Sequence, residues 1–249
     1  MLHTNTPSAQ VIHHRIYALN PSQDTYLHGN IRSSYYYADF LEVGVRENGL
    51  LSGQESRTLL RFDVERFKED SHWGREHNFN HLNRTTLTSA TLTLYCTLVY
   101  DSGGSGVDVY SDTIYVARIL KSWEEKKVTA SIRNFAEERW TEEYLATDGQ
   151  DATTSLHNIS VTVDSSTCSA GESFTFNMTD VFSDWLEGRV ENFGLLLWAG
   201  NKENHRMTLR LASSDNGVLE RHPVLEVQLE DTIYEKGKCF TTDFVGENG

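Results

Sequence analysis

Ala90-Thr91-Leu92-Thr93-Leu94-Tyr95-Cys96 is the stretch on which the fold class turns. Ala90, Leu92, Leu94 and Cys96 fall on one side of an extended chain, and Thr91, Thr93 and Tyr95 on the other. A helix would scatter these residues around its axis; a strand gathers the apolar ones onto one packed face. The same rhythm extends outward in both directions. Upstream lie Thr25-Tyr26-Leu27, Phe40-Leu41-Glu42-Val43 and Thr58-Leu59-Leu60-Arg61-Phe62-Asp63-Val64. Downstream, Asp101-Ser102-Gly103-Gly104-Ser105-Gly106 closes a loop before Thr113-Ile114-Tyr115-Val116-Ala117-Arg118-Ile119-Leu120. Ile159, Val161 and Val163 then alternate with polar residues, as do Phe174 and Phe176, and Leu195 to Trp198, Met207 to Leu211 and Leu225 to Leu229 follow. About ten strands at short spacing predict an all-β sandwich of antiparallel strands rather than a βαβ fold.

One short segment favours helix: Asp180 is placed to cap Val181 to Leu186, with Gly188 as the stop. Residues 1–20 are polar and histidine-bearing and read as an N-terminal arm or edge strand. Residues 21–229 read as one β-sandwich domain, and the acidic, glycine-containing residues 230–249 as a C-terminal tail or edge strand. The strand rhythm breaks over residues 121–157, which hold Trp123 and Trp140 among Glu, Thr and Ser. So long an excursion is expected to cross one end of the sandwich and to form the rim of a binding site.

At 249 residues, with five Trp, eleven Tyr and eleven Phe, the chain is long enough to bury a substantial core as one domain. No apolar run is long enough to cross a membrane. The formal charge of −14 argues against nucleic acid, whose binders cluster Lys and Arg to displace counterions. It also repels an acidic polysaccharide at long range unless the basic residues converge in one groove. Cys96, Cys168 and Cys239 cannot all pair with one another and lack zinc spacing, so a disulfide framework is not expected to organise the fold. Met1-Leu2-His3-Thr4-Asn5 shows no signal-peptide pattern, which fits either a cytoplasmic chain or one whose signal has been removed.

Asp24-Thr25-Tyr26, Phe40-Leu41-Glu42-Val43-Gly44 and Arg57-Thr58-Leu59-Leu60-Arg61-Phe62-Asp63 resemble the opening of the DNRLRE domain. That domain is similar to the disaggregatase-related domains and to an alginate-binding family of carbohydrate-binding modules. Thr88 to Tyr95, Ser122-Trp123-Glu124-Glu125, Trp185-Leu186-Glu187-Gly188, Gly194 to Leu197 and Pro223 to Val227 continue the order. The likeness covers roughly residues 24–229 and rests on the order of the motifs rather than on any one of them. Where those domains usually place a Trp-Asn pair, Val128-Thr129 runs into Ala130-Ser131, so the loop there departs from the pattern. The resemblance implies a jelly-roll-type sandwich, extracellular or at the cell surface, carried beside other modules of a larger surface or secreted protein.

A sugar site needs flat aromatic surface beside a few fixed polar groups. Tyr35-Tyr36-Tyr37 supplies aromatics: in a strand, Tyr36 would pack inward and leave Tyr35 and Tyr37 on the surface. Trp123 and Trp185 are expected in the core, whereas Trp73, in a polar loop with His72, Gly74 and Arg75, is the exposed candidate. An anionic glycan needs cations on a rigid sheet. The candidates are Arg57 and Arg61, which share a parity, and Lys202, His205 and Arg206, with Arg210 close by in sequence. Asp24 and Asp63 sit at strand or turn ends where a structural calcium would find oxygen ligands, although no EF-hand spacing is present.

No GxSxG, HExxH, P-loop or dinucleotide fingerprint occurs. Taken with this absence, the resemblance implies a non-catalytic module recognising a polysaccharide or oligosaccharide, an acidic alginate-like one included, with no cofactor required. Two other readings fit the composition. One is a lyase or hydrolase in the same groove, using a tyrosine with His205 and Arg206. The other is a structural or adhesive surface domain whose aromatics meet protein.

Overall fold

A computed structural model describes residues 9–29, 33–46, 54–74, 84–101, 111–141, 145, 149–153, 159–164, 166, 168, 171–199 and 207–235. Its strands are β1 (Ala9–Leu19), β2 (Gln23–His28), β3 (Phe40–Arg46), β4 (Gln54–Arg61), β5 (Arg84–Asp101) and β6 (Ser111–Arg118), followed by β7 (Ser160–Asp164), β8 (Ser173–Asn177), β9 (Leu195–Ala199), β10 (Met207–Ala212) and β11 (Val224–Glu235). Every pairing between them is antiparallel. They form one curled sheet of 11 strands in the order β1-β11-β5-β10-β3-β4-β9-β6-β7, with β2 added to β4 and β8 to β5.

β5 is the spine of this sheet. Its first part pairs with β11 and β8 and its last part with β10, so a single strand carries the sheet around the bend. Ala90, Leu92, Leu94 and Cys96 are all buried on its inner side, as their alternation predicts. The inside of the curl is filled by these residues with Leu41, Val43, Leu60, Phe62, Leu209, Leu211 and the apolar side of β11. Cys96 is disulfide-bonded to Cys168, 72 residues on, with the Cα atoms 5.6 Å apart. Cys239 lies outside the described residues.

Two α-helices are present among the described residues where the sequence predicts one. The expected strand running to Val64 ends at Arg61 instead, and α1 (Val64–Ser71) follows. Asp63 caps it by accepting a hydrogen bond from the Arg66 backbone N–H at 3.0 Å, while Val64, Phe67 and Ser71 turn inward. α2 (Thr179–Leu186) is the expected helix. Asp180 is not its cap: the Thr179 backbone N–H and hydroxyl donate to the Asn177 side chain at 3.0 and 2.7 Å, one turn earlier. Phe67 and Phe182 meet edge to face at 5.3 Å and pack the two helices together.

Of the excursion expected over 121–157, the described residues 121–141, 145 and 149–153 lie outside the named strands, and a second apolar cluster holds them. Trp123, Val128, Trp140, Leu145 and Ala152 pack on Leu27, Leu59 and Leu196 of the sheet. Each indole is satisfied: Trp123 Nε1 donates to the Phe193 carbonyl at 2.7 Å and Trp140 Nε1 to the Thr129 carbonyl at 3.1 Å. β1 closes one end of the sheet against β11, and the expected boundary near residue 229 falls inside β11. No described helix is long and apolar enough to cross a membrane.

Candidate functional site

A glutamate inside the apolar run Phe40-Leu41-Glu42-Val43 is the anchor of a buried polar network. Glu42 is 1% exposed. Removing a carboxylate from water is costly unless donors replace the solvent, and Glu42 is supplied with them. Arg210, its cross-strand partner on β10, donates Nε to Oε2 at 3.3 Å, and the Ser56 hydroxyl donates to Oε1 at 3.0 Å. His28 Nδ1 lies 2.7 Å from the Ser56 oxygen. The serine's one proton goes to Glu42, so the His28–Ser56 bond has the ring Nδ1–H as its donor. Gly44 allows β3 and β10 to approach this closely: its φ is +122°, and a side chain there would meet the Met207 carbonyl at 2.3 Å.

Aromatic rings roof the network. The Arg210 guanidinium carbon sits 3.8 Å from the centre of the Phe40 ring. Phe40 leans on Tyr26 at 5.5 Å, and Tyr26 stacks on Tyr35 at 4.3 Å with 17° between the planes. The three tyrosines are not on a strand; they sit at a turn in which the Ala38 N–H returns to the Tyr35 carbonyl at 3.0 Å. The alternation expected of them is therefore corrected. Tyr35 is the one drawn inward, while Tyr36 and Tyr37 are 38% and 68% exposed and meet edge to face at 5.2 Å.

Two loops meet beside this turn and hold it. The Ser213 hydroxyl donates to the Ala38 carbonyl at 2.7 Å, the Asn216 side chain to the Asp39 carbonyl at 2.8 Å, and the Ser34 hydroxyl to the Glu125 carbonyl at 2.5 Å. At their junction Asp24, 2% exposed, accepts the Ser214 backbone N–H at 2.6 Å and its hydroxyl at 2.7 Å. The Asp24 backbone N–H donates to the Glu125 carboxylate at 2.8 Å. Burial raises the Asp24 carboxyl above the usual carboxylate range against the pull of the two Ser214 donors, and Asp215 pushes the same way. Glu125 is raised as well, first by burial and then by the neighbouring Asp24 charge.

The other sequence candidates take different places. Arg57, 4% exposed, is not a surface cation: it donates Nε to Glu55 at 2.8 Å and Nη1 to the Leu145 carbonyl at 3.0 Å. Arg61 is half-buried on a separate groove of about 560 Å³ with Asp63, Lys68 and Asn192. Trp73 is half-buried against the main core, because α1 swings it there. Trp123 and Trp185 are buried, as expected. Asp63 is occupied as a helix cap and Asp24 as the acceptor for Ser214, and among the described residues no group of three or more His, Cys, Asp or Glu is placed to hold a metal. Lys202, His205 and Arg206 lie outside the described residues.

The structure thus brings Tyr35, Tyr37 and Arg210 into one region and leaves Arg57, Arg61 and Trp73 elsewhere. Glu42, His28 and Ser56 were not singled out from sequence. The signal for Glu42 was an ionised residue within an apolar β run, which a fold keeps only with partners. Neither a scan against protein-family models nor a search of curated proteins finds a match to this chain.

Proposed function

We propose that the chain is a non-catalytic polysaccharide-binding module with a jelly-roll-type arrangement of its strands. Its contact surface is the exposed Tyr36–Tyr37 pair together with Arg210. The carrying observation is the fixing of Arg210, gripped by buried Glu42 on one side and laid on Phe40 on the other. A cation held this way loses little freedom on binding, so it suits recognition of sugar hydroxyls or carboxylates. The tyrosine turn leads directly into Phe40, and Ser213, just past the strand bearing Arg210, ties the turn down.

A catalytic reading is weaker on chemical grounds. Ser56, His28 and Glu42 are the residue types of a hydrolytic triad, but all three are buried. The proton order is also reversed, since Ser56 donates to the carboxylate rather than to the imidazole. A buried disulfide suits an extracellular or cell-surface setting.

Affinity electrophoresis through gels of alginate, pectin, chondroitin or neutral β-glucan tests the reading, with release of shortened polymer assayed alongside. Retardation in at least one gel, lost in Arg210→Ala and in Tyr36→Ala/Tyr37→Ala without product release, is the expected result. Shortened polymer would favour a lyase or hydrolase. Absence of retardation in every gel would leave the structural or adhesive reading.

A further inference from the structure

The end of a sheet is a row of backbone donors and acceptors, and folds blunt it with short strands, proline, bulges or outward charges. One end of this sheet is blunted: β7 has 5 residues. The other is not. β1 has 11 residues, and no described strand pairs with its outer edge. Its register with β11 runs without a bulge from Ala9↔Glu235 to Leu19↔Leu225, and it contains no proline. Its one arginine is turned inward, where Arg15 is bound by Asp231 at 2.7 Å and donates to the Ser71 carbonyl at 2.7 Å. On one face Ile12, His14, Ile16 and Ala18 are exposed, the two isoleucines 47% and 64%, and on the other face His13 is exposed too.

Ile12 and Ile16 stand symmetrically about His14. In an antiparallel pair of two identical strands centred on His14, each residue faces its mirror position. Ile12 of one copy then meets Ile16 of the other on the same face, and His14 meets His14. A slip of two residues in either direction sets Ile12 against His14 or Ala18 instead and loses both apolar pairs.

We propose that β1 is a self-complementary docking edge whose occupant is β1 of a second copy of this chain, paired antiparallel about His14 so that the two sheets continue into one. The inference is independent of any sugar ligand. The interface is narrow. A strand of this length is about 37 Å long, and a strip of that length buries on the order of 700 Å² in total, below the roughly 1,600 Å² of a standard interface. The dimer is accordingly weak and concentration-dependent.

Sedimentation equilibrium over the micromolar to millimolar range tests it, comparing the wild-type chain with Ile16→Lys, whose fold is checked by circular dichroism. The expected result is a monomer–dimer equilibrium weakened at least about tenfold by the lysine. The register is read separately in a Cys239→Ser background. His14→Cys should give a covalent dimer on mild oxidation, whereas Ile12→Cys should not, because its two copies stand about 13 Å apart in this pairing, beyond disulfide reach. A wild-type chain that stays monomeric throughout overturns the proposal, as does a dimer that is indifferent to Ile16→Lys or fails to cross-link through His14→Cys.

Discussion

Asp24 and Ser214, 190 residues apart in the chain, are joined by two hydrogen bonds to one buried carboxylate. The bonds close the loop after β10 onto β2, and Glu125 enters the same junction through the Asp24 backbone N–H. The arrangement carries a tension, since burial opposes the ionised form of both carboxylates more than their donors support it.

That tension makes stability depend on pH with a definite sign. A carboxyl whose pKa is higher in the folded chain than in the unfolded one takes up a proton on folding. The penalty for burying its charge is complete above the folded value and fades as the pH falls through it toward the ordinary carboxylate range. The melting temperature should therefore rise as the pH is lowered from neutrality into the mildly acidic range. In Asp24→Asn this slope should flatten, with Glu125 retaining part of it. Thermal melts across that range check the point, and an Asp24→Asn profile parallel to the wild type would refute the assignment.

Arg57 should matter for folding and not for sugar. It links β4 to the excursion through the Leu145 carbonyl and pairs with Glu55, whose side chain is 13% exposed. Arg57→Ala strands these groups and is expected to cost about 2–4 kcal/mol in urea unfolding. Arg57→Lys should recover only part of this, because an ammonium cannot reproduce the fork of the guanidinium. Any gel retardation of the folded Arg57→Ala chain should match the wild type, in contrast to Arg210→Ala.

The Cys96–Cys168 bridge spans 72 residues, so in the unfolded chain it removes the freedom of a long loop. Replacing both cysteines by alanine should cost about 4 kcal/mol by the loop-entropy relation. Urea titration of this variant, or of the reduced wild-type protein, measures the loss. A midpoint within error of the oxidised protein would show that the β5 to β7 region holds itself together without the bond.

Strand content was legible because burial on a sheet has a period of two, and Ala90 to Cys96 obeys it residue by residue. α1 was missed although its signals were present. Asp63 precedes Val64, Phe67 and Ser71, which have helical spacing, but the apolar run from Thr58 reads as strand as far as Val64 and hides the helix start. Once that helix was missed, Trp73 looked like part of a free loop.

The site was less legible, for a physical reason. Alternation says which residues share a face but not whether the face is covered. Arg57 shares its parity with Leu59, and both lie under the excursion, whose own sequence has no period from which its course could be read. The parity expected around Arg210 holds in β10, where Leu209 and Leu211 are buried and Arg210 between them is half-buried. The partners that fix it, Glu42 and Phe40, lie more than 160 residues earlier, and Glu42, at 168, is joined to it only by the folded register.

The pairing of β11 with β5 also has a consequence for synthesis. Residues 84–101 leave the ribosome long before residues 224–235 exist, so the spine strand must wait while residues 102–223 are made for the neighbour that covers its first half. Until then a nascent chain carries an open, threonine-rich β edge. The hazard is greatest before residues 224–235 emerge, when a chaperone that shields extended segments would have the most to protect.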